Sequence, residues 1–275
     1  IIDLSKKPEA EQTPTQSTAN AKKRFENLKH DMKLAEKVFN ESKEAIENFY
    51  NNTHAEEIDI NDLSPVLDKT FDSIRENNHA LLTILHMHRN SDKFLSHIFS
   101  VLSIATAIGH RMNFDGDNLF SLGLSALLHD IGWSRLPTYL PEKSGNYTEK
   151  ELKLARQHAH YGLSIIEQIK ELPKNVIDIL KEYYIYEESH HLPPSHDDTL
   201  FANMGKLITI VDIYDSLTHG IKGNNQRTPY AALQLMYKQA QDGDIDTAIL
   251  TQLIKLLGVY PVSSAVELAS GERGI

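Results

Sequence analysis

The sequence predicts an all-α fold with a short β-hairpin-like tail at its C-terminus. Three observations predict it. Apolar residues recur at spacings of three and four through most of the chain. Helix-start signals recur between those runs, and no segment alternates apolar and polar residues convincingly over a strand's length. With 275 residues, 40% hydrophobic and 24% charged, the chain has an ordinary globular composition and ample length for a buried core.

Taken in order, residues 1 to about 20 are polar and unpatterned, and read as a linker or disordered arm. From Phe25 the positions Phe25, Leu28, Met32, Ala35, Phe39, Ser42, Ile46 and Phe49 form a heptad seam. Two readings of this helix stand side by side: a dimerising coiled coil, and a long helix packed on its own domain. NNTHAEE (51–57) marks a boundary, dividing an arm and N-terminal helix at 1–57 from a main domain at 58–275. Ser64-Pro65 opens the next helix as N-cap and first helical residue. Ser91 opens a run through Gly109, and Asp117 or a neighbour opens a helix ending at His129. Thr148 with Glu151 makes a capping box before a helix through Ile169. Pro173 starts another through about Glu188, a further helix covers about 202–219, and Thr228-Pro229 begins the next. The tail, VYPVSSAVELASGERGI, is short and turn-rich, which suits a small hairpin.

Bulk properties exclude several function classes. The formal charge of −10 argues against binding a nucleic-acid polymer through its phosphates. No apolar run reaches the roughly 18 residues of a membrane span. The absence of cysteine removes disulfides and thiolate metal sites, and is compatible with a reducing, cytoplasmic location. The first residue is Ile1, which leaves room for an upstream segment.

The fourteen histidines carry the functional signal. His30, His54, His79, His86, His88, His110, His160, His196 and His219 lie in polar or loosely patterned stretches, where solvated or satisfied imidazoles are the default. His97, His129, His158, His190 and His191 fall where helices should bury them. Asp130 and Asp212 join them in apolar runs, ALLHDIG and LITIVDIYDSL. Buried imidazoles and carboxylates need partners. This many on consecutive helices of a bundle can converge on a metal, as in di-metal bundle proteins. Nitrogen and oxygen donors without thiolate suit iron, manganese, zinc, cobalt or nickel. Seven ligand-type residues suit two divalent ions about 3.5–4 Å apart, the arrangement that hydrolyses phosphodiesters.

The ordered set His97, His129-Asp130-Ile131-Gly132, His158-x-x-x-Gly162, His190-His191, Asp212-Ile-Tyr-Asp215-Ser-Leu-Thr218 resembles the HD-GYP branch of the HD-domain phosphohydrolases. The resemblance continues through Arg227-Thr-Pro-Tyr230 and Leu257-Gly-Val-Tyr-Pro261, over about residues 58–272. It implies a helical HD-domain bundle with a bi- or trinuclear, usually iron, centre that hydrolyses cyclic di-GMP to pGpG and GMP. By position, it implies that His97, His129, Asp130 and Asp212 hold one ion. Asp130 would bridge to a second held by His158, His190 and His191, and a metal-bridging hydroxide would be the nucleophile, with His129 and Asp130 at the catalytic focus. Asp215 and Arg227 would lie near the nucleotide's phosphates.

Three departures set this chain apart. Trp133 stands where the family usually has lysine, so a cationic phosphate contact is missing unless Arg135 replaces it. HHLPPSHDDTLF replaces the Gly-Tyr-Pro signature. Lys93 stands where trinuclear members carry glutamate, which favours two metals. Two functions follow as expectations: a cyclic di-GMP phosphodiesterase with weakened activity, and a catalytically inactive, metal-stabilised cyclic-dinucleotide binding or signalling module. A third keeps the chemistry and changes the phosphate ester.

Overall fold

The computed structural model describes residues 16–54, 58–88, 92–189, 199–261, 266–267 and 270–274. Helix α1 (Gln16–Asn51) runs along α2 (Ser64–Met87) and the central α3 (Lys93–Arg111). Its seam buries Ala35, Phe39, Ser42, Ile46 and Phe49 in the same core as α3, whereas Leu28 is exposed. The helix therefore packs on its own chain; of Phe25 only the backbone is described. A 3-10 turn (Ile60–Leu63) leads into α2, which begins with Ser64 itself, Leu63 being the N-cap and Pro65 lying in the first turn. Proline is tolerated there because its missing N–H would have no partner anyway.

Helix α3 is buried on every face from Ser96 to Gly109, which is why its sequence reads as nearly continuous apolar and small residues. Its hydroxyls bond within the helix: Ser103 Oγ donates to Phe99 O and Thr106 Oγ1 to Leu102 O. Helix α4 (Gly116–Leu128) is capped by Asp115, two residues before the expected Asp117, and His129 is its C-cap. A 3-10 turn (Ile131–Arg135) and the short α5 (Tyr139–Glu142) follow.

The capping box at Thr148 and Glu151 is present, but one helix does not continue from it to Ile169. The chain breaks at Arg156 (φ −58°, ψ −17°) into α6 (Glu149–Ala155) and α7 (Gln157–Ile166). The ψ there is that of a tight 3-10 turn, which redirects the helix axis. Helices α8 (Lys174–Ser189) and α9 (Leu200–His219) pack closely: a Cβ on Gly205 would lie 2.6 Å from Glu182 Cβ and 2.9 Å from Ile179 O. Helices α10 (Pro229–Gln241) and α11 (Thr247–Leu257), capped by Thr228 and Asp246, complete the bundle. In the tail, β1 (Val266–Glu267) pairs antiparallel with β2 (Arg273–Gly274), Val266 opposite Gly274, which gives the small hairpin expected there. Among the described residues, no helix is long and apolar enough to cross a membrane.

Candidate metal centre

Helices α3, α4 and α9 bring His97, His129, Asp130 and Asp212 together. Each of the four is buried, and each offers one ligand atom within 4.8 Å of the others. Local sequence fixes how the rings point. His129 sits at the end of α4, where its Nδ1 reaches back three residues to Ala126 O at 2.8 Å. His158 repeats this on α7, with Nδ1 2.7 Å from Ala155 O. A carbonyl can only accept, so Nδ1 of both rings carries the proton and Nε2 is left with a free lone pair. His97 is held differently: its Nδ1 lies 2.7 Å from Asp215 Oδ2.

The result is a set of orphaned atoms. His97 Nε2, His129 Nε2, Asp130 Oδ2 and His158 Nε2 are buried without a hydrogen-bond partner. His97 Nε2 lies 3.1 Å from Asp212 Oδ1 and 3.4 Å from Asp130 Oδ2, and His129 Nε2 lies 3.4 Å from Asp130 Oδ2. Buried polar atoms left unpaired are costly, and three of these four aim at one point. A divalent cation fits that donor set: two imidazole nitrogens and two carboxylates, each ring oriented from its far side.

Electrostatics agree. Burial disfavours charge on His97 and Lys222 opposes it, but Asp130, Asp212 and Asp215 outweigh both and push the ring up to about 10. Burial holds His129 below its usual range, even against the pull of Asp130. For Asp130 and Asp212, burial favours the neutral form, yet nearby His129 and Lys222 keep both carboxyls below their ordinary value. A metal ligand must be a deprotonated nitrogen or carboxylate. Here the carboxylates are already ionised, and the proton on His97 is what a cation would displace.

The other oxygen of Asp130 has a different environment. Its Oδ1 accepts from Trp133 Nε1 at 3.2 Å and from Tyr183 Oη at 3.3 Å; Tyr183 also donates to Asp212 Oδ2 at 2.9 Å. Trp133 is buried and stacks on His158, with ring centroids 4.6 Å apart and planes at 13°. His158 lies outside the four-residue cluster, its Nε2 3.3 Å from Glu187 Oε2. Gly132 makes this packing feasible. A Cβ there would stand 1.9 Å from His158 O, so only glycine lets the turn after Asp130 lie on α7.

Three residues expected near substrate lie outside the four-residue cluster. Asp215 is buried behind His97, its oxygens taken by His97, by Ser100 Oγ at 2.6 Å and by His219 Nδ1 at 2.9 Å, an arrangement that orients the His97 ring. Arg135 does not replace the missing cation, because its guanidinium is held by Thr53 O at 2.7 Å and by His54 Nδ1. Arg227 is exposed, with its backbone N–H bonded to Leu217 O. His190 and His191 lie outside the described residues.

Sequence reasoning passed over Tyr183, Glu187, Ser100, His219 and Lys222. Four of them had a signal: Ser100 is three residues after His97, His219 four after Asp215, and Glu187 four after Tyr183 on one face of α8. Lys222 had none. Its ammonium lies 2.6 Å from Asp130 Oδ2 and 2.8 Å from Asp212 Oδ1.

Residues 76–249 match the HD domain family. The chain belongs to that family. The adjacent pair His129 and Asp130 lies within the matched stretch and in the buried cluster. The chain is also similar to a cyclic di-GMP phosphodiesterase of Pseudomonas aeruginosa, 22% identical over 253 residues, which cover 90% of this chain and 60% of that protein. The HD domain chain thus spans less than two thirds of that relative's length. No solved structure matches it.

Proposed function

We propose that this chain is a metal-dependent phosphodiesterase of the HD-GYP type that hydrolyses cyclic di-GMP to pGpG and GMP. One observation carries the reading: two imidazole nitrogens without a hydrogen-bond partner, His97 Nε2 and His129 Nε2, converge on Asp130 Oδ2 beside Asp212 in the interior. The similarity to a cyclic di-GMP phosphodiesterase supports the choice of substrate. A second messenger of that kind suits a cytoplasmic protein.

His97, His129, Asp130 and Asp212 would hold a divalent ion, iron by preference, which would supply Lewis-acid chemistry toward water and the phosphate oxygens. The chain's own residues do the rest. Asp215 and Ala126 O hold the two imidazoles in the tautomer that exposes Nε2. Tyr183 fixes Asp130 relative to Asp212. Beside Asp212 and Lys222 opens a cavity of about 240 Å³, also bordered by Glu187, Ser216 and Asn224, through which a phosphodiester can approach. In the reaction, a solvent oxygen bonds to phosphorus, the bond to the ribose oxygen breaks, and the leaving oxygen takes a proton.

A second ion on the His158 side would draw on His158 Nε2, His190 and His191. Its bridge from Asp130 would have to displace Trp133 or Tyr183 from Oδ1. That cost, with no cation from Arg135, supports slow turnover; it is also the observation that favours the binding-module reading. Self-association through α1 is not part of the proposal, since its seam is spent inside the chain. The test is to incubate metal-loaded protein with cyclic di-GMP, pGpG and a chromogenic phosphodiester, and to measure nucleotide binding in parallel. Release of pGpG from cyclic di-GMP is the expected result. Tight binding without turnover selects the binding module, and cleavage of the chromogenic ester alone means another substrate.

A further inference from the structure

We propose that Lys222 is a tethered cation of the metal centre that shares Asp130 and Asp212 with a single divalent ion and competes with it for their oxygens. The inference rests on the metal-centre reading above.

The first argument is position. The lysine side chain is only 10% exposed, and its ammonium contacts carboxylates from two separate elements. The oxygens it touches, Asp130 Oδ2 and Asp212 Oδ1, are those facing His97 Nε2. A lysine without a task at such a site extends its ammonium to solvent, because burying it costs several kcal/mol unless it is well paired.

The second is construction. Lys222 has φ +52°, a left-handed conformation uncommon for a residue with a side chain, and it sits between Gly220 (φ +64°) and Gly223 (φ +79°). The loop is pinned to the segment after α5: Lys222 N–H donates to Pro141 O at 2.9 Å, Gly223 N–H to Lys143 O at 3.0 Å, and Gly145 N–H to Asn224 O at 3.0 Å. A Cβ on Gly223 would stand 2.8 Å from the Tyr147 ring. The surrounding structure thus fixes a strained backbone that delivers one ammonium to one point.

The third is charge. Asp130, Asp212 and Asp215 are three buried carboxylates around His97. One divalent ion and one ammonium balance them. Asp130 Oδ1 already accepts from Trp133, so bridging it to a second ion would cost that bond.

The test is manganese binding alone, followed by titration calorimetry and elemental analysis on metal-stripped full chain. Wild type should bind one equivalent. Lys222→Met should also bind one, about tenfold more tightly because the competing ammonium is gone, and Lys222→Arg, which keeps the charge, should bind as wild type does. Circular dichroism checks that each variant is folded; if Lys222→Met is not, Lys222→Gln carries the same expectation. Two equivalents in wild type, or wild-type affinity in every folded neutral variant, overturns the inference while leaving the metal centre standing. No binding by wild type overturns both.

Discussion

The two oxygens of Asp130 face two differently built halves of one site. Around Oδ2 stand His97 Nε2, His129 Nε2 and Lys222, with ion-pair distances but no hydrogen bond of good geometry. Around Oδ1 stand Trp133, which donates its indole N–H, and Tyr183, whose one hydroxyl proton is shared with Asp212 Oδ2. The first half is arranged for cations, and Lys222 is the one that the chain itself supplies. The second is satisfied by the protein itself. A single carboxylate can therefore be a ligand on one side and a structural acceptor on the other, and a motif alone does not say which.

Removing the carboxylate breaks both halves and should have the largest effect. Asp130→Ala should abolish metal retention in elemental analysis and lower stability by about 3 kcal/mol in denaturant titration, because Lys222 loses a buried partner. Asp215→Asn attacks only the cation half, from behind. It removes the charge that orients His97 and should weaken metal binding about 10–100-fold by calorimetry, with the fold retained. Trp133→Phe sharpens the contrast from the other side. It keeps a ring against His158 but drops the bond to Asp130 Oδ1, so it should cost about 1 kcal/mol of stability and leave the first ion in place.

The smallest effect lies away from the site, at the capping box. Lys143 and Thr148 hold the Glu151 carboxyl down to about 2 from 4.5. A depressed carboxylate stabilises the fold above its unfolded pKa, and the contribution fades as pH falls through the folded one. The melting-temperature difference between wild type and Glu151→Gln should therefore be full above pH 4.5 and vanish near pH 2.

Much of this was legible in the sequence, for physical reasons. Helical periodicity and caps located the helices, since α-helices are specified by local chemistry; Thr148 with Glu151 and Thr228-Pro229 appear as read. His97, His129, Asp130 and Asp212 stood out because charged or imidazole groups in apolar runs demand a partner, and they do meet. What periodicity does not carry is a change of direction. The break at Arg156 and the left-handed turn at Lys222 depend on tertiary contacts, so a split helix and a buried ammonium went unseen. In the sequence Trp133 shows only as a missing cation, whereas in the structure its indole N–H holds Asp130. The Arg135 guanidinium is held instead by Thr53 O and His54 Nδ1, just past the end of α1, contacts that no sequence spacing reveals.

The most direct measurement of the central claim is anomalous diffraction from crystals of manganese-loaded protein. The account predicts an anomalous peak within bonding distance of His97 Nε2, His129 Nε2, Asp130 Oδ2 and Asp212. A fully loaded protein whose peak lies elsewhere, with those four atoms uncoordinated, would contradict it.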